Sequence, residues 1–279
     1  MRDLTEELVS TFDETATARD TTVIITCCNH ASYVEQCLES VFLQTEVPGA
    51  VIVVDDLSTD DSVAVIRHWV ATHLKDVTLL AHAENKGLCR SLNDALHLVR
   101  TPYLLHISAD DWMLPARVAT QIGALRAHPE AAFVASDFLE VDAGGLELAT
   151  HDVLPRLDGL IGPDRRYEFM SRMLQENVVP APAVAMRTSA VRNAGGWDES
   201  LVFEDYDMWL KLGRQYGVAY TPGVVTAYRN LPGSMSHAQE WHAAMEGSLL
   251  RILDGIRGSD AGWDEIIRDR IARIGAGSL

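Results

Sequence analysis

"YLLHISADDWMLP", Tyr103 to Pro115, is the stretch on which the reading of this chain turns. Five mostly apolar residues, Tyr103 to Ile107, have the composition of a buried strand, and the run ends at two adjacent carboxylates, Asp110 and Asp111. Pro115 sits where the first turn of a helix tolerates proline, and Val118, Ile122 and Leu125 give that helix an apolar stripe. Strand, acidic turn and helix form the repeating unit of a parallel sheet, whose strands are joined through helices. Two neighbouring anions repel each other, so solubility alone does not account for a pair at the mouth of a core strand. They call for a cation or a hydroxyl.

Upstream the unit recurs. "TVIIT" is a strand by its β-branched enrichment, followed by a capping-box signature at Ser32 and Glu35. Val34, Cys37, Leu38, Val41 and Phe42 then fall on one helical stripe. "AVIVV" from Ala50 is a second buried strand, with a helix from Ser62 to Leu74 and a third strand at "VTLLA". Leu88, Leu92, Ala95, Leu96 and Val99 mark the helix that leads into "YLLHI". The pattern predicts an α/β fold with a mostly parallel central sheet covered by helices on both faces. Ligands in such sheets bind beyond the carboxyl ends of the strands.

Downstream of Ala131 the alternation is less regular. "AAFVASDFLEVD" and "LELAT" pair as a hairpin through Gly144-Gly145. A helix at Tyr167–Gln175, a strand "AVAMR" and a helix at Asp205–Gln215 follow. Trp263, Ile266, Ile267, Ile271 and Ile274 give the last helix an apolar face for the core or for a second copy, which leaves a homodimer open. The chain divides on these grounds into a tail or helix at 1–20, a regularly alternating half at 21–130, a less regular half at 131–235, and C-terminal helices at 236–279.

Bulk properties narrow the function. Of 279 residues, 40 are acidic and 23 basic, a net charge of −17. That balance argues against nucleic acid as a partner and against docking on anionic lipid. No apolar window reaches the ~20 residues of a spanning helix, and the N-terminus lacks a secretory pattern. Cys27, Cys28, Cys37 and Cys89 have no CxxC spacing and read as thiols of a cytoplasmic protein.

The acidic residues gather at predicted strand ends and helix starts: Asp55-Asp56, Asp110-Asp111, and Glu204-Asp205 in "LVFEDYDMW". Any one pair is explained as a helix cap, and Asp60-Asp61 fit that plainer reading best. Three pairs on one rim suit Mg²⁺ or Mn²⁺, held by one or two carboxylates and by substrate phosphates. A remaining acid is then free to take a proton from an attacking hydroxyl.

"TVIITCCNHASYVEQCLESVFLQT", "VIVVDDLSTDDS", "ENKGLCRSLNDAL", "YLLHISADDWMLP" and "GGWDESLVFEDYDMWLKL" resemble, in this order, family 2 glycosyltransferases. The resemblance implies the GT-A (Rossmann-like) fold with 21–130 as the nucleotide-sugar-binding half and 131–235 as an irregular acceptor-binding and catalytic half, a nucleotide-diphosphate sugar as donor (UDP-sugar first), and inversion at the anomeric carbon. It places Thr26, Asn29, Asp55 and Asp56 at the nucleotide, with Asn85, Lys86, Gly87 and Arg90 in the N-x-G segment. Ser108 and Ala109 lie beside the donor, Asp110 and Asp111 at the metal, and Asp205 as general base with Glu204 beside it. His237 is a further candidate metal ligand. Two departures stand out. Ser108 occupies a place where many relatives have Asp, and "TCCNH" replaces the usual proline and aromatic before Asn.

Gly195-Gly196 calls for positive φ, Trp112 for packing or for stacking on a sugar, and Trp209 and Leu210 for the core. The acceptor is a hydroxyl on a glycan, a lipid-linked sugar or a small metabolite; a lipid-linked one would bring the protein to the membrane periphery. Sugar nucleotidyl transfer and a degenerate sugar-binding homologue are the competing readings. The first needs a Gly-rich basic loop that "TCCNHAS" lacks, whereas the second rests on Ser108. A phospho-acceptor domain would leave the Glu204-Asp205 helix unexplained, and a dinucleotide oxidoreductase would need a GxGxxG after a strand.

Overall fold

The computed structural model describes residues 18–234 and 239–275. Strand β1 (Thr21–Cys27) leads to α1 (Val34–Phe42), β2 (Ala50–Asp55), α2 (Ser62–His73), β3 (Thr78–Ala81), α3 (Leu88–Leu98) and β4 (Tyr103–Ser108). Next come β5 (Trp112–Met113), α4 (Arg117–Ala127), the long β6 (Ala131–Val141), β7 (Glu147–His151), α5 (Leu154–Leu157) and α6 (Arg166–Gln175). The chain continues through β8 (Val184–Arg187), α7 (Thr188–Asn193), α8 (Asp205–Gln215), β9 (Gly217–Arg229), α9 (Gln239–Ile256) and α10 (Ala261–Gly275).

Nine strands form one sheet in the order β3-β2-β1-β4-β8-β6-β9-β5, with β7 paired to β6. The first four are parallel, and Cys27 of β1 is in register with Asp55. Strand β8 runs antiparallel between β4 and β6, while β6 and β9 are parallel. Alternate residues explain the two-sided burial. Val23, Ile25, Val53 and Leu105 pack with α1, α2 and α4 on one face. Ile24, Val54, Leu104 and Phe133 pack with α3, α6 and α8 on the other.

Most elements fall where the sequence places them, including α8 at both ends. The capping box does not form: α1 begins after Tyr33, with no side-chain cap, and the His30 carbonyl accepts the amides of Tyr33 and Val34 at 2.9 Å each. Pro115 also lies just outside α4, whose N-cap is Ala116. Strand β9 carries Pro222 and Gly223 in its middle and has no clear alternation, so sequence pattern does not announce it. Its pairing with β6 shifts register around Asp137. The Asp137 carboxylate fills that irregularity, accepting the Tyr220 hydroxyl and the Gly223 amide, each at 3.0 Å. No helix among the described residues is long and apolar enough to cross a membrane.

Candidate active site

Because β1, β2 and β4 are neighbours and parallel, their carboxyl ends open on one rim, and the loops after them meet. The first two loops are knitted together by side chains that accept amide protons. Asn29, at φ 60°, accepts the Thr59 amide at 2.7 Å and donates its own amide to Ser58 Oγ at 2.8 Å. The Asp60 carboxylate takes the Ala31 amide at 3.0 Å and the Ser62 amide at 3.0 Å. Asp60 therefore joins two loops, whereas Asp61 is the N-cap residue of α2 without a side-chain bond.

Asp55 is buried and accepts the amide of Ser58 at 2.9 Å. Asp56 turns inward to the next loop: it accepts the Lys86 amide at 2.8 Å, the Gly87 amide at 2.8 Å and a His82 nitrogen at 2.9 Å. Both oxygens of Asp56 are thus engaged in shaping the Asn85-Lys86-Gly87 turn. Gly87, at φ 85°, precedes α3 with a backbone that side chains resist. Lys86 Nζ reaches Asp94 at 2.8 Å, and the Arg90 guanidinium reaches Glu199 at 3.2 Å on the exposed side of α3. Both cations are thus engaged by carboxylates of the same chain.

Behind β4 the site is sealed. Ala109 is fully buried and its amide bonds the Thr26 carbonyl at 2.9 Å. Thr26 Oγ1 meets His106 Nε2 at 2.9 Å. Burial and the Arg117 guanidinium push His106 down to about 3, so the ring is neutral. His106 also lines a small cavity of about 10 Å³ with Trp197, Glu204, Asp205 and Trp209, room for a single water. This ring lies between Thr26 of β1 and the start of α8.

The two carboxylates of Asp110-Asp111 have opposite fates. Asp111 is buried and accepts the backbone amide of Arg229 at 2.7 Å. Burial first, and the neighbouring charge of Asp110 second, hold its carboxyl well above the usual range. Asp111, expected at the metal, also anchors the end of β9. Asp110 is 8% exposed, and its Oδ1 is buried without a hydrogen-bond partner, 3.8 Å from His30 Nδ1. An orphaned buried carboxylate oxygen fits a cation ligand, because leaving it bare costs about 1–3 kcal/mol. Ser108 is half-buried, and its carbonyl takes the Asp111 amide at 3.1 Å to close the turn. Among the described residues no cluster of three or more His, Cys, Asp and Glu side chains stands ready to hold a metal. His237 lies outside the described residues.

Arg229 clamps this turn, a role that no local sequence pattern announces. It is buried; Nε donates to the Asp110 carbonyl at 2.8 Å, and its Nη atoms donate to the Ala143 carbonyl at 2.8 Å and Gln36 Oε1 at 2.8 Å. The guanidinium lies between the rings of Tyr33, at 4.5 Å, and Trp112, at 5.0 Å. One face of Trp112 is therefore covered by a cation.

At the third acidic cluster, Glu204 is the N-cap residue of α8 and Asp205 its first residue. Asn177 donates to Asp205 Oδ2 at 2.9 Å. Burial raises both carboxyls; with the charge of Asp205 added, Glu204 is pushed up to about 8. The turn before α8 is set by Gly195 and Gly196 at φ 88° and 75°, as their sequence position calls for. Asn93 of α3 reads this turn, accepting the Trp197 amide at 2.9 Å and donating to the Trp197 carbonyl at 2.8 Å.

The parallel half of the sheet thus ends in a carboxylate rim, and His106 of β4 lines one cavity with Glu204 and Asp205 at the start of α8. Residues 22–186 match the profile described as "Glycosyl transferase family 2". The chain belongs to glycosyltransferase family 2. The enzyme is 28% identical over 210 residues to the "Amylovoran biosynthesis glycosyltransferase AmsE" of Erwinia amylovora, a match covering 75% of this chain and 74% of that protein. Its fold is that of a Pyrobaculum calidifontis mannosyltransferase, PcManGT, solved with GDP-Man and Mn²⁺, at a TM-score of 0.62 and 20% identity over 96% of this chain and 78% of that one. S. aureus TarS 1-349, solved with UDP-GlcNAc, superposes at a TM-score of 0.65 and 17% identity, covering 92% and 73% of the two chains. The glycosyltransferase thus has the GT-A architecture: a curled, mostly parallel sheet flanked by helices.

Proposed function

We propose that this glycosyltransferase moves a sugar from a nucleotide diphosphate, UDP-sugar before GDP-sugar, to an acceptor hydroxyl with inversion at the anomeric carbon. The observation that carries the reading is the division of labour between the acids. Asp55 and Asp56 are spent on loop geometry, Asp110 presents a bare buried oxygen, and Asp205 sits with a raised carboxyl at a helix start. Loops Cys28–Ser32, Asp55–Asp61 and Asn85–Gly87 shape the nucleotide pocket, with Ser108 within reach of a ribose hydroxyl.

Asp110 would hold Mg²⁺ or Mn²⁺, which when bound neutralises charge on the leaving diphosphate. Asp205 accepts the proton of the acceptor hydroxyl as its oxygen bonds the anomeric carbon and the bond to the diphosphate breaks. Asn177 fixes one oxygen of Asp205, leaving the other for the proton. A carboxylate raised by burial is suited to this task, since its basicity grows with the shift. Beside it, burial and the charge of Asp205 push the Glu204 carboxyl up to about 8, which favours its protonated form. The acceptor, a glycan, lipid-linked sugar or metabolite hydroxyl, would enter beside the 195–204 turn, in a cytoplasmic or membrane-peripheral setting.

The test is a transfer assay with UDP- and GDP-sugars and Mn²⁺, reading the product's anomeric configuration by NMR. Transfer with inversion, lost in Asp205→Asn while donor binding persists, supports the reading. Transfer with retained configuration, or full turnover in Asp205→Asn, would remove it.

A further inference from the structure

The gap between His30 and Asp110 is the feature of the rim that the proposed function leaves unexplained. Both facing atoms, His30 Nδ1 and Asp110 Oδ1, are buried and without hydrogen-bond partners. Their separation of 3.8 Å is too long for a hydrogen bond. It suits a shared ion. Two ligands each about 2.1 Å from one cation stand between about 3.0 Å apart when adjacent and about 4.2 Å when opposite.

Neither group is loose. The His30 amide donates to Ser62 Oγ at 2.9 Å, and its carbonyl carries the first amides of α1. The next residue, Ala31, is pinned to Asp60 at 3.0 Å. On the other side, the Arg229 guanidinium holds the Asp110 carbonyl at 2.8 Å. Backbone restraint on both ligands is what a preformed site requires, because ordering then precedes binding.

The donor set also resolves the departure at Ser108. With a hydroxyl where relatives have a carboxylate, the β4 loop offers one free acid, which beside the substrate phosphates leaves room in the coordination shell for a second protein ligand. We propose that His30, from the loop after β1, is the second protein ligand, so that the cation sits between an imidazole and the Asp110 carboxylate. This rests on the metal-assisted reading above. Imidazole prefers transition ions to Mg²⁺. The site should therefore select Mn²⁺ or Co²⁺ over Mg²⁺ more strongly than a pair of carboxylates does.

Pulsed EPR on the full chain with Mn²⁺ and inorganic pyrophosphate, which contains no nitrogen, tests this directly. The wild type should show ¹⁴N coupling of a bound imidazole. That coupling should disappear in His30→Gln and persist in His237→Gln. Free-Mn²⁺ titration in the presence of UDP or GDP should give a Kd at least on the order of 10-fold weaker for His30→Gln. His30→Asp should recover binding and shift preference toward Mg²⁺, which excludes misfolding as the cause. Mn²⁺ binding with no nitrogen coupling in the wild type, or coupling that survives His30→Gln, overturns the assignment of His30 alone. Absence of Mn²⁺ binding with pyrophosphate, UDP and GDP alike overturns the metal-assisted reading as well.

Discussion

Replacing Arg229 by methionine keeps an unbranched apolar stem between Tyr33 and Trp112 and deletes the guanidinium. The lost bonds run to the carbonyls of Asp110, Asp142 and Ala143 and to Gln36 Oε1. Hydrogen bonds from a charged donor contribute about 1.5–3 kcal/mol each, and the ring contacts about 0.5–2 kcal/mol. Not all of this is forfeited. Gln36 and Ala143 are exposed, so water replaces the guanidinium there, whereas the carbonyl of buried Asp110 is left bare. The backbone amide of Arg229 still reaches Asp111 after substitution. The expected loss is about 3–5 kcal/mol, in line with removal of one member of a buried charged network, and a Tm lower by roughly 10 °C. Urea unfolding followed by tryptophan fluorescence reads it. Arg229→Lys should lose most of the same stability, because an ammonium cannot span these acceptors in one plane. A loss below about 1 kcal/mol for Arg229→Met would show that the clamp is ornamental and that Asp110 is held by other means.

Asp205→Asn should reduce turnover by about 10²–10⁴ while leaving nucleotide Kd within twofold, checked by kinetics and calorimetry. The Glu204 carboxyl is higher in the folded chain, about 8 against an ordinary 4.5, so its contribution to stability is full below the lower value and lost as pH rises through the higher. Glu204→Gln should therefore flatten the decline in Tm between those two pH values, and an unchanged slope would contradict the burial of Glu204. Gly196→Ala places a Cβ 2.6 Å from Asn93 Oδ1 at φ 75° and should cost about 1–3 kcal/mol in urea unfolding; a neutral result would mean that the turn before α8 is not fixed by Asn93.

The parallel half of the fold was legible because its strands are buried on both faces and read as continuous runs, "TVIIT", "AVIVV" and "YLLHI". Their positions then locate the carboxyl-end rim, so Asp55, Asp56, Asp110 and Asp111 were placed by topology alone. What a carboxylate does on that rim was not legible. Asp110 and Asp111 are adjacent and chemically identical, and only Arg229, 118 residues away from Asp111, separates a bare oxygen from a buried anchor. Strand β9 was missed for the reason Arg229 was missed: Pro222 and Gly223 break its pattern, and its register is held by Asp137 from another strand. His30 was visible as part of "TCCNH", but its partner lies 80 residues on, and nothing local reveals the pairing.

The role proposed for Asp110 is to bind the diphosphate of the donor through a divalent cation. Calorimetry of UDP and GDP, with and without Mn²⁺, on wild type and Asp110→Ala measures it. Mn²⁺ should tighten nucleotide binding in the wild type by at least tenfold, about 1.4 kcal/mol, and have no such effect in Asp110→Ala. Equal enhancement by Mn²⁺ in both proteins would contradict it.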